Sequence, residues 1–176
     1  MQPPRRGWIS DLLVQPNGSP VPTATSLPAW PELPYLAWRD TYATLHLWSQ
    51  VVGKIRLALT PWINHSWHVA LYVSTRGLTT SPIPYQQRSF EIEFDFLAQT
   101  LTLSVSDGGI RRIPLAPQSV AQFYASVLGA LGELGIEVRI NDYPCEIASA
   151  TRFSADEIHR SYDPEQARRF CQGNGC

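Results

Sequence analysis

His46, Gln50 and Lys54 recur at i, i+4 and i+8 in one uninterrupted helical pattern. At 3.6 residues per turn that spacing stacks all three on one side of a helix. Histidine exchanges protons near neutral pH, a glutamine amide both donates and accepts, and lysine carries a positive charge. With Arg76, in the turn Thr75-Arg76-Gly77, the set suits acid–base work or the gripping of a carboxylate or phosphate. The competing reading is structural, with Lys54 snorkelling to solvent and Gln50 pairing with a neighbouring loop. Lys54 is the only lysine; every other basic residue is arginine, a bias that a GC-rich genome explains.

A second cluster is histidine alone. His65 and His68 stand at H-x-x-H just after His46 in the sequence, and three neutral imidazoles could hold a transition metal. The pattern crosses a loop-to-strand junction, however, and has neither HExxH spacing nor a carboxylate in register. No metal or other cofactor is therefore expected, and His46, His65 and His68 stay as an unassigned metalloenzyme alternative. His159, in "DEIHRSYD", reads as a surface residue near a helix cap. Glu91, Glu93 and Asp95 alternate along one strand, which is how the solvated face of a half-buried sheet looks; Arg111 and Arg112 are the expected partners across the hairpins. The three cysteines, Cys145, Cys171 and Cys176, give neither a disulfide framework nor a metal knuckle, and read as incidental thiols of a reduced chain.

Several function classes find no support. The chain has no Walker loop, G-x-S-x-G elbow, G-x-G-x-x-G fingerprint or Cys–His signature. A net charge of −1 over 176 residues is no nucleic-acid footprint. No apolar run reaches the roughly 18 residues of a membrane span, and "MQPPRRGW" lacks the apolar centre of a secretory signal. We expect a cytoplasmic protein with no nucleic-acid or membrane partner.

The elements that must carry these residues follow from periodicity. Eight of the 15 prolines precede residue 35, so residues 1–28 read as a Pro-rich flexible extension and 29–176 as one domain. Residues 36–60 read as a long helix, with Asp40 or Thr41 near its start and Pro61 beyond its end. Leu45, Trp48, Val52, Ile55 and Leu59 form its core stripe, widened by Leu47, Val51 and Ala58. Its opposite side is polar but almost uncharged, as a face against a polar cavity would be. The loop "PWINHS" leads to an expected strand over 67–74, with Trp67, Val69, Leu71 and Val73 on one side and His68, Ala70, Tyr72 and Ser74 on the other. "LTTSPI" returns as a strand that Pro82 and Pro84 confine to an edge. "SFEIEFDFL", "TLTLSVSD" and "IRRIPL" alternate cleanly, the last two joined by Asp107-Gly108-Gly109, a strong hairpin signal. Ser119 and Gln122 form a capping box for a second helix that Gly135 ends. "IEVRI" reads as a last strand, and Asp163-Pro164 opens a terminal helix. The sum is α+β: an antiparallel meander of about five to six strands, two long helices on one face and a short C-terminal helix.

The segments "TLHLWSQVVGKIRLALTPWINHSWHVALYVSTRGLTTSPIPY", "FEIEFDF" and "SYDPEQARRF" resemble a bacterial family known as domain of unknown function 5996, over residues 30–171. The resemblance implies a bacterial, cytoplasmic, single-domain protein and carries no activity. Within the matching segments, His46, Lys54 and His68 are the expected acid–base groups. Gln50, Asn64, His65, Tyr72, Arg76 and Tyr85 are the expected ligand-binding residues of a pocket between the first helix and the sheet. The expected ligand is a small polar or anionic molecule, bound or turned over. The rival class is a non-enzymatic module that forms a homodimer or docks a protein through its sheet edge or extension.

Overall fold

The computed structural model describes residues 31–173; the expected extension over 1–28 lies outside them. The first helix, α1, spans Tyr35–Leu59. It starts after Pro34, so Asp40 and Thr41 fall one turn inside it rather than at its cap. Instead, the Thr41 hydroxyl accepts the amide of Asp163, which ties α1 to the start of the C-terminal helix α3, Pro164–Gly173. Leu45, Trp48, Val52 and Ile55 are buried as the stripe requires, whereas Ala58 is exposed. The second helix, α2, spans Val120–Glu133 behind the full Ser119/Gln122 capping box.

Six antiparallel strands follow α1: β1 Tyr72–Val73, β2 Gly77–Thr79, β3 Ile83–Tyr85, β4 Arg88–Asp95, β5 Thr100–Val105 and β6 Ile110–Pro114. The sheet runs β1-β2-β4-β5-β6, with β3 also paired to β4. Thus β2 and β3 share one flank of β4, broken between them where Ser81 turns to positive φ before Pro82. Phe90, Ile92 and Phe94 of β4 and Leu101, Leu103 and Val105 of β5 form the dry face, under α1 and α2. At the centre Trp48 stacks on Phe123 of α2 at 4.6 Å and on Tyr162 at 5.4 Å.

Three expectations are corrected. The strand over 67–74 shrinks to two residues. Before it lies a 3-10 segment, Asn64–Val69, in which His65 and Ser66 take left-handed backbone angles. Such a kink breaks the two-residue alternation, so the expected faces never form. "IEVRI" joins no sheet: Ile136 is buried, but its amide returns to Leu131 and the amide of Glu137 goes to the Tyr85 hydroxyl. The β4 carboxylates are not paired with Arg111 or Arg112. Glu91 accepts from Thr79 and Glu93 from Ser74, while Arg111 bonds Glu133 of α2.

Two glycines test this packing in opposite directions. A Cβ at Gly77 would sit 1.9 Å from the Phe94 carbonyl oxygen, whereas one at Gly53 would meet Val69 at an ordinary 3.6 Å. Denaturant unfolding should show Gly77→Ala losing about 3 kcal/mol or more. Gly53→Ala should hold stability or gain up to about 1 kcal/mol from helix propensity. Equal midpoints for the two variants would contradict the close β2–β4 approach.

Candidate functional site

The polar side of α1 faces an irregular segment, residues 141–152, that returns over it. Gln50 grips the backbone of Cys145 from both sides: its Oε1 accepts the Cys145 amide at 2.7 Å and its Nε2 donates to the Cys145 carbonyl at 3.1 Å. That pair fixes which end of the amide is nitrogen. The second Nε2 hydrogen then points to His46 Nε2 at 3.2 Å. His46 Nε2 is therefore an acceptor, and the neutral ring carries its proton on Nδ1. The ring itself stacks on Tyr42.

Lys54 is only 9% exposed, and Nζ donates to Cys145 Sγ at 3.2 Å. Among the described residues it has no carboxylate partner. A buried ammonium needs strong acceptors, and sulfur is a weak one. Two of its three donors are thus left to whatever fills the space in front of them. That space is an open groove of about 470 Å³ between α1 and the 145–146 turn, lined by His46, Gln50, Lys54, Leu71, Cys145 and Glu146 among others.

The groove adjoins an apolar slot of about 120 Å³ whose walls are Trp38, Tyr42, Leu45, Phe94, Phe96 and Phe170. Slot and groove share His46, Ser49 and Leu78. An engineered cavity of about 150 Å³ accepts benzene, so the slot is on the scale of one ring. A third cavity, about 340 Å³, lies along the N-terminal half of the same side of α1, under residues 144–151, and shares Tyr42 and His46 with the slot.

Of the nine residues singled out by sequence, the structure brings together His46, Gln50 and Lys54. The others stand elsewhere. His68 is buried, with Nδ1 accepting the Ile63 amide and its ring edge-on to Trp62. Asn64 and His65 are exposed in the 3-10 segment. Tyr72 lies under the guanidinium of Arg56 at 4.8 Å. Tyr85 packs on Phe90 and holds the Glu137 amide. Among the described residues no three His, Cys, Asp or Glu side chains come together as a metal site. Cys145, read as incidental, is the residue that sequence reasoning missed; it sits 91 positions from Lys54, outside any periodic element.

Arg76 binds Asp95 through Nε at 2.6 Å, and that bond and charge raise the guanidinium pKa. Burial pushes the Asp95 carboxyl up, but the Arg76 bond and the amides of Ala98 and Leu97 outweigh it and leave it below the ordinary carboxylate range. The pair locks the β4–β5 turn rather than facing the groove.

Two outcomes follow. Because the folded pKa of Asp95 lies below its unfolded value, its contribution is present above about pH 4 and fades as pH falls through the folded pKa. Urea unfolding of Asp95→Asn should therefore show lower stability at pH 7 and a shallower acid-side decline; parallel curves would remove the pair from the acid response. Gln50→Ala should speed amide exchange at Cys145 and alkylation of its thiol by iodoacetamide. Unchanged rates would mean that the amide clamp does not hold the segment.

Comparison with family models matches residues 30–173 to one described as "Family of unknown function (DUF5996)". No curated protein and no solved structure matches the chain.

Proposed function

The chain belongs to that family of unknown function, and on that footing we propose that it binds a small anion with an apolar body, the body in the aromatic slot and the charge at Lys54. The observation that carries the reading is that Lys54, largely buried beside a groove, has no carboxylate within ion-pair distance among the described residues, although Glu146 also lines that groove. An apolar residue would fill a purely structural position here without the partial desolvation that a largely buried lysine incurs. A ligand carboxylate in the groove would supply the missing acceptor. His46 and Gln50 add polar contacts at the junction, and the slot supplies hydrophobic contact for roughly one ring. This pairing of an apolar cavity with a few convergent polar groups is typical of small-molecule sites. Support for the alternative homodimer reading comes from the other end of α1, where Trp62, Ile63, Tyr72 and Val73 are exposed and β1 is the sheet edge among the described residues.

The probe for the first reading is 3-phenylpropionate, one ring and one carboxylate. Titration calorimetry should register saturable binding, weakened about tenfold or more in Lys54→Met and in Phe170→Ala, and little changed in His68→Gln. Equal affinity across wild type and Lys54→Met would sink the assignment of the charge to Lys54. For the second reading, sedimentation velocity should show a dimer that Val73→Lys dissociates; a monomer at high concentration would dispose of it.

A further inference from the structure

The cavity beside the N-terminal half of α1 contains a pair that the binding reading does not use. Asp156 is 2% exposed, and both its oxygens are engaged: Oδ1 accepts the amides of Ile158 and His159, and Oδ2 meets His159 Nδ1 at 2.7 Å. An ionised carboxylate only accepts, so the Nδ1 edge of His159 carries the proton and Nε2 is left with its lone pair. Among the described residues nothing bonds that Nε2, and the ring is 40% exposed along the cavity wall. The mount is rigid. The carbonyls of Asp156 and His159 accept the amides of Ala121 and Val120, at the start of α2, at 3.1 Å each. A base oriented by a buried carboxylate and fixed to a helix end is an arrangement suited to proton transfer.

The same cavity holds His46 and Tyr42, the residues that also line the mouth of the aromatic slot. A molecule with its ring in the slot and its carboxylate at Lys54 would present the intervening carbon at this mouth. No hydroxyl or thiol among the described residues is hydrogen-bonded to His159 Nε2, so the geometry supplies a base without a protein nucleophile. Its natural target is a substrate proton that imidazole can remove.

We propose that His159, positioned by Asp156, is a general base that abstracts a C–H proton next to the carbonyl of a small aromatic 2-oxo acid. The step balances without a further reactant. The C–H bond breaks, its proton passes to Nε2, and its electron pair forms a C=C bond while the carbonyl oxygen becomes an enolate. The Nδ1–H of His46 or water can donate to that oxygen, and reprotonation from the His159 imidazolium closes an isomerisation or a solvent exchange. The inference rests on the binding reading above, because the slot and Lys54 must hold the substrate.

The test uses phenylpyruvate with the full chain in D₂O, following deuterium entry at the carbon between ring and carbonyl by proton NMR. Wild type should exceed the buffer rate. His159→Gln should lose about 100-fold of that acceleration, in line with the usual contribution of a general base. Asp156→Asn keeps an acceptor but not the charge; it should lower the exchange rate at saturation while leaving the half-saturation concentration unchanged. 3-Phenylpropionate should compete. Binding of 3-phenylpropionate with no exchange above buffer would overturn the base and leave the binding site standing. Exchange undiminished in a folded His159→Gln would also overturn it. Failure of 3-phenylpropionate and phenylpyruvate to bind would remove both readings together.

Discussion

Everything in this fold is arranged around a single indole. Trp48 has no exposed surface, lies halfway along α1, and is stacked between Phe123 of α2 and Tyr162 just before α3. Phe94 of β4 continues the column beyond Phe123, and Phe96 continues it beyond Phe94. One stack therefore ties α1, α2 and the chain leading into α3 to the central strand. Aromatic pairs in this geometry contribute about 0.5–1.5 kcal/mol beyond area burial. Its ring nitrogen has no partner among the described residues, a cost accepted where shape and area dominate. Because Trp48 fixes how α1 lies on the sheet, it also fixes the direction of the opposite side of α1, where His46, Gln50 and Lys54 project.

That side explains the scarcity of charge noted in the sequence. A helix facing solvent carries many Glu and Lys residues; α1 instead meets the returning segment 141–152 and the three cavities. Two buried cations show the difference between support and site. Arg56 gives a guanidinium hydrogen to the Ala70 carbonyl and lays its plane over Tyr72. It thereby pins the 3-10 segment and β1 to the helix. Lys54, two residues earlier, donates only to a sulfur among the described residues. The first cation is largely used up by the fold, and the second faces open space.

Much of this was legible from spacing. The α1 stripe, the β4–β5–β6 meander, the Ser119/Gln122 box and the Asp163-Pro164 start all follow from local periodicity or capping chemistry, which the sequence carries within a few residues. His46, Gln50 and Lys54 were legible for the same reason. Cys145, Asp156 and His159 were not. They lie in irregular chain, where no period links a residue to its contacts, and their partners are set by tertiary return rather than by neighbours. The alternation of 67–74 misled because two left-handed residues, His65 and Ser66, precede it, and neither is a glycine or an asparagine that would have signalled the kink.

The placement of His46 has a consequence for how the site would work. It alone among the histidines borders the slot, the groove and the flanking cavity, and its Nε2 is occupied by Gln50. Gln50 is in turn held by the backbone of Cys145. The tautomer of His46 thus depends on where the returning segment sits: lifting that segment would release Gln50 and free the imidazole to use either nitrogen. Lys54 and Gln50 meet the same cysteine, one at its sulfur and the other at its backbone. The groove at Lys54 and the imidazole at the slot mouth therefore share one support, a residue of irregular chain rather than of the helices or the sheet.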